Sequence, residues 1–93
     1  MSVASVAQQL AATQQVFAPQ AEVLNEADRT RMIDGHKTSI IAQVDRLQRL
    51  DMAGVVELNG ALARSGFSHA DRTTIAAAVG QKALETVGCS RRT

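Results

Sequence analysis

Apolar side chains in this chain recur at helical spacing and never at strand spacing. Ile75, Val79, Ala83 and Val87 follow one another every four residues, with Leu84 alongside. Ile33, Ile40, Val44 and Leu47 form a second stripe, flanked by Ile41 and Leu50. Val55, Leu58 and Leu62 make a third; Val3, Val6, Leu10 and Phe17, with Thr13 in the gap, make a fourth. Residues three and four apart share one side of a helix, whereas a half-buried strand alternates at every second position. No such alternation runs beyond a few residues. The expected fold is therefore all-α, a small four-helix bundle with short connections in an up-down-like order. Ninety-three residues make a single helical domain, 1–93, near the small end of what folds alone.

The core of such a bundle has to be thin. Apolar residues are 45% of the chain, yet 16 residues are alanine, Trp and Tyr are absent, and Phe17 and Phe67 are the only phenylalanines. Rings supply much of the buried area of a small core. Alanine lets helices approach closely, and a monomer short of buried area gains from association. A homodimer is the expected state.

Local signals place the helix ends. Ala18-Pro19 should stop the first helix, because the residue before proline avoids helical angles. Asn25 is a candidate N-cap for the second, with Glu26 and Asp28 in its first turn, where acids suit the helix dipole. That helix should end near Leu50, and Asp51 should cap the third. In "LARSGFSHAD" Gly66 occupies the place of a left-handed C′ residue, with Phe67 and Leu62 as the apolar contact of a Schellman stop. Ser68 with Asp71 three residues on resembles a capping box opening the fourth helix. Gly88 should close that helix and leave 89–93 as a loose tail. Short connections after the second and third helices favour antiparallel neighbours.

Charge is unevenly spread. Residues 1–21 carry none; residues 22–51 carry five positive and six negative side chains, and residues 52–93 five positive and three negative. The net charge is +1 and the pI near 8.0, below the value of about 9 expected of a dedicated nucleic-acid-binding domain. Ser2–Gln20 has no basic segment ahead of its apolar residues and is broken by Gln pairs, so it does not read as a secretory signal. No run approaches the ~18 apolar residues of a membrane span. The expected location is cytoplasmic. The back of the first helix holds Ala4, Gln8, Ala11 and Gln15, so this helix is neutral all round and can be covered on both sides. Gln supplies hydrogen bonds at an interface without the desolvation penalty of a charge. The candidate partner or dimer interface is thus an uncharged helix or arm over 1–18: Val3, Ala4, Gln8, Ala11, Gln15 and Phe17.

Chemistry-bearing constellations are sparse. The segment 55–87 resembles a degenerate helix-turn-helix, with Gly66 in the turn and with Phe67 and Ile75 at fitting positions. Ser65 and Arg72 stand where that motif wants apolar residues, and Asp71 would face phosphate. Arg64, Arg72 and Lys82 are the candidate nucleic-acid contacts. His36, His69, Asp34, Asp71 and Cys89 lack the spacing of a metal site. The lone Cys89 offers neither a disulfide partner nor, past Gly88, a base to activate it. The acids read as caps or solvated positions rather than a carboxylate pair with separated pKa values. No glycine-rich phosphate loop is present. The expectation is a non-catalytic helical interaction protein, an adaptor, regulator or inhibitor docking on another protein through a helix surface, with no catalytic residue, cofactor or metal. The alternative is a DNA-binding regulator using 55–87, and a third reading is a small enzyme with its site at a dimer interface.

Overall fold

The computed structural model describes the backbone of residues 2–91 and the side chains of residues 2–18 and 23–88. It is all-α: α1 (Val3–Val23), α2 (Glu26–Arg46), α3 (Met52–Ala63) and α4 (His69–Arg91). The four stripes face one another. Val6, Leu10 and Phe17 from α1, Ile40 and Val44 from α2, Leu58 and Leu62 from α3, and Ile75 and Val79 from α4 are all buried in one cluster with Phe67. Thr13, in the gap of the first stripe, is buried too, and its hydroxyl donates to the Leu10 carbonyl at 2.6 Å.

The helix starts follow side-chain capping. Asn25 Oδ1 accepts from the Asp28 N–H at 2.8 Å, and Asp51 Oδ1 accepts from the Gly54 N–H at 2.8 Å. Ser68 Oγ accepts from the Asp71 N–H at 3.3 Å, while the Asp71 carboxylate turns to Lys37 on another helix. The helix ends differ from expectation. α1 continues through Pro19 to Val23. Proline removes one N–H, the partner of the Gln15 carbonyl, and Gln15 is exposed, so water can satisfy that oxygen. α2 ends at Arg46, with Leu47 extended, rather than near Leu50. α4 runs through Gly88 to Arg91, so 89–91 are helical; 92–93 lie outside the described residues. None of the described glycines has a positive φ, so α3 has no Schellman stop. Its last turn tightens instead: the Arg64 N–H reaches the Ala61 and Leu62 carbonyls, and the Ser65 N–H and Oγ both donate to the Leu62 carbonyl.

Gly66 has a different task. A Cβ there would lie 2.9 Å from both Phe17 Cδ2 and the Thr13 carbonyl, so its missing side chain lets the α3–α4 turn sit directly on α1. The Gly66 N–H donates to Thr13 Oγ1 at 3.0 Å, and Phe67 meets Phe17 edge-on with centroids 5.2 Å apart.

Helix neighbours are α1 with α2 and α3, and α4 with α2 and α3; among the described residues neither diagonal pair, α1–α4 or α2–α3, comes close. The α1–α2 pair is antiparallel, joined by reciprocal 2.7 Å amide bonds between Gln9 and Gln43 and by Phe17 edge-on to His36. The α2–α4 pair is parallel, since Lys37 meets Asp71 and, further along both helices, the Asp45 carbonyl meets Lys82. α1 and α3 are parallel as well, with Gly54 beside Val3 and Gly66 beside Phe17. The five-residue connection 47–51 therefore crosses the bundle on its diagonal instead of joining adjacent helices. It is held by buried Leu47 and Leu50 and by the Leu50 N–H donating to Thr86 Oγ1 at 2.9 Å. The molecule measures 52 × 22 × 19 Å with a radius of gyration of 14.1 Å, longer than the ~12 Å expected of a compact chain of this length.

Candidate functional site

The uncharged side of α1 is split by the fold. Phe17 is buried against Phe67 and His36, and Val3 is half-buried against the start of α3, so both turn inward. Ala4, Gln8 and Gln15 are exposed and Ala11 is half-buried, leaving an outward side of small and amide side chains. Residues 3–18 belong to an integral helix rather than an arm, because Val6, Leu10, Thr13 and Phe17 are part of the interior.

The cations proposed to touch nucleic acid divide into one exposed residue and two that are engaged internally. Arg64 is exposed. Arg72 Nε donates to the Phe67 carbonyl at 3.0 Å and Nη2 to the Ser65 carbonyl at 3.4 Å. The guanidinium thus staples the turn, which explains an arginine where a helix-turn-helix wants an apolar anchor. Ser65, the other misfit, is buried with its hydroxyl on the Leu62 carbonyl. Lys82 Nζ donates to the Asp45 carbonyl at 2.8 Å and lies 3.3 Å from Glu85 Oε2. These bonds sit on the rim of a groove of about 330 Å³ between α2 and α4, whose floor is Ile41, Ala42 and Ala78.

Lys37 holds its proton more tightly than an ordinary lysine. Its ammonium donates to Asp71 at 3.1 Å and lies 3.5 Å from Asp34. The hydrogen bond to Asp71, reinforced by the charges of Asp71 and Asp34, raises its pKa above the ordinary lysine value of 10.5, against a smaller opposing effect of burial. A wider groove of about 640 Å³ opens beside this pair, between the overhanging tip of the α1–α2 hairpin and the α3–α4 turn, with Phe17, Ile33, Arg29 and Asp34 among its walls. Among the described residues no three His, Cys, Asp or Glu side chains converge as a metal site, and no buried polar side-chain atom lacks a hydrogen bond. The Cys89 side chain lies outside the described residues. No described helix is long and apolar enough to cross a membrane.

Sequence reasoning did not single out the most apolar part of the surface. Met52, Val56, Leu84 and Val87 are exposed large apolar residues on α3 and α4. All four lie toward the end of the molecule where Leu50 meets Thr86. At 3.6 residues per turn, Thr73, Ala76, Ala77, Gly80, Leu84 and Val87 fall within one sector of about 100° on α4, and the charged residues between them, Lys82 and Glu85, fall outside it; the helix-end positions His69 and Arg91 return to the same sector. Met52, Val56, Asn59 and Ala63 share one narrow side of α3, and the antiparallel pairing sets that side beside the α4 sector. Between Thr73 and Val87 the combined face is uncharged, and it lies opposite the α1–α2 side of the bundle. Val87, expected in the α4 core stripe, and Leu84 beside it turn outward instead, because the stripe's i+4 spacing drifts around the helix away from buried Ile75 and Val79. No family model, no curated protein and no solved structure matches the chain.

Proposed function

We propose that this protein is a non-catalytic, dimeric interaction module that docks on another protein through the exposed side of α1. The observation that carries the reading is the outward row of Ala4, Gln8 and Gln15 on a helix with no charge before Glu22. Such a side presents amides and methyls and loses little hydration when covered, which suits the interior of an interface better than a freely solvated surface. Three cations hold helices together instead: Lys37 ties α2 to α4, Lys82 does the same further along both helices, and Arg72 closes the α3–α4 turn.

A photoactivatable cross-linker in place of Gln8 or Gln15 tests the docking. The expected result is one protein joined at both positions, released when Ala4→Glu is added. Absence of cross-links at both positions overturns it. The DNA-binding reading rests on Arg64 with fewer free cations than the sequence promised. Duplex binding that weakens steeply with salt would favour it instead, since phosphate contacts release counterions. The dimeric state is read by light scattering with concentration from refractive index, because the chain has no Trp or Tyr.

A further inference from the structure

We propose that two copies of this chain pair through the α3–α4 face, with α4 antiparallel to its copy across a two-fold axis at Gly80. The placement rests on the dimeric state proposed above and names where the copies meet.

Three glycines of the fold differ in what surrounds them. At Gly54 and Gly66 an added Cβ would collide with neighbours inside the fold, so the chain itself explains them. At Gly80 an added Cβ would meet nothing within 4 Å, although the residue lies mid-helix, where glycine weakens the helix relative to alanine. Gly35 and Gly88 are open in the same way, but Gly80 alone sits at the centre of the uncharged α4 sector. Its absent methyl leaves room for a second backbone from outside.

The residues around Gly80 then select the occupant. In an isologous pair each residue at a given distance before the axis meets the residue at the same distance after it. Leu84, 71% exposed, is four residues after Gly80, and Ala76 and Ala77 are four and three residues before it. An antiparallel pairing therefore lays each Leu84 on the two alanines of the other copy, and Val87 opposite Thr73. Large meets small twice, once on either side of the axis. A parallel pairing would set Leu84 on Leu84 and leave the alanines facing a gap. Glu57, Arg64 and Glu85 fall outside the face, as a polar rim requires. Met52, 75% exposed, and Val56 extend the apolar area onto α3. Taking 1.5 Å per residue and helices about 10 Å apart, the face projects roughly 500 Å² per copy, about 1,000 Å² for the pair, where specific interfaces begin. Pairing here leaves α1 of each copy pointing away on opposite sides.

The test is the solution mass of the full chain from micromolar to millimolar concentration, together with a cross-linking pair. The expected result is a dimer that becomes a monomer in Leu84→Glu and in Met52→Lys, both at exposed positions, with helical circular dichroism retained. With Cys89→Ser as background, Gly80→Cys is expected to give a disulfide-linked dimer on oxidation. Gly88→Cys is expected to give none, because the antiparallel register separates the two copies of that position by about 24 Å. A wild-type chain that stays monomeric overturns both the dimer and its placement. A dimer that survives Leu84→Glu and Met52→Lys overturns the placement and leaves the dimer standing. A dimer lost in those variants but not cross-linked through position 80 overturns the two-fold at Gly80.

Discussion

At Gly66 a methyl group would lie 2.9 Å from the Thr13 carbonyl and from Phe17 Cδ2, one of them backbone and the other a buried ring. Neither can retreat without opening the Phe17–Phe67 contact. Gly66→Ala is expected to destabilise the fold by about 1–3 kcal/mol, as overpacking does, read as a lower denaturant midpoint by circular dichroism. The same change at Gly35, where nothing lies within 4 Å, should stabilise the helix by about 1 kcal/mol. The contrast shows which single-residue roles are legible in a linear chain. Asn25, Asp51 and Ser68 act as caps because capping depends on residues two or three positions away. The local sequence makes Gly66 a turn residue, but the reason it must be glycine stands 53 residues earlier, at Thr13. Asp71 fits a capping pattern locally, yet its carboxylate is drawn to Lys37, 34 residues away.

Individual helices depend on their neighbours to different degrees. α1 carries no charged side chain as far as Ala21 and has Pro19 in its last turns, so burial of Val6, Leu10 and Phe17 holds it in place. Deleting residues 2–18 is expected to unfold the remaining chain, seen as loss of the helical signal at 222 nm, because α3 and the Gly66 turn would lose the surface they rest on. The α2–α4 pair carries a titratable link. The folded state holds the Lys37 proton more tightly than the unfolded chain does, so the link contributes in full below the ordinary value of 10.5 and is lost as pH rises through the higher folded value. Melting temperature should therefore fall more steeply above that range in the wild type than in Asp71→Asn. Periodicity identified all four helices and most of their buried sides, with Val87 of the α4 stripe exposed instead, since 3.6-residue spacing is a property of each segment alone. Helix ends were less legible. Pro19 and Gly88 carry stop signals, yet α1 and α4 run through them, and the extended Leu47–Leu50 stretch continues the apolar spacing of α2 although the backbone has left the helix.

The arrangement of the whole molecule was the least visible in the sequence. Short connections suggested that each helix lies beside the next, yet α2 and α3 occupy a diagonal, and the parallel pairs α1–α3 and α2–α4 do most to close the core. Nothing in a five-residue connection reveals that its own leucines are core residues. Leu50 is buried within this crossing, so Leu50→Ala is expected to cost about 2–5 kcal/mol, as much as a helical core position. The loss should appear as a shifted but still single melting transition, because both helix pairs meet at that point. The diagonal crossing also divides the chain into two helical hairpins of nearly equal length, α1–α2 and α3–α4, each carrying half of the interior and each bound to the other by parallel contacts. Gln48 and Arg49 are exposed between the two anchoring leucines. A chain cut there would yield two fragments, each too apolar on one side to persist alone, that recover the helical fold only on mixing: the molecule is built as a split reporter joined by a removable tether.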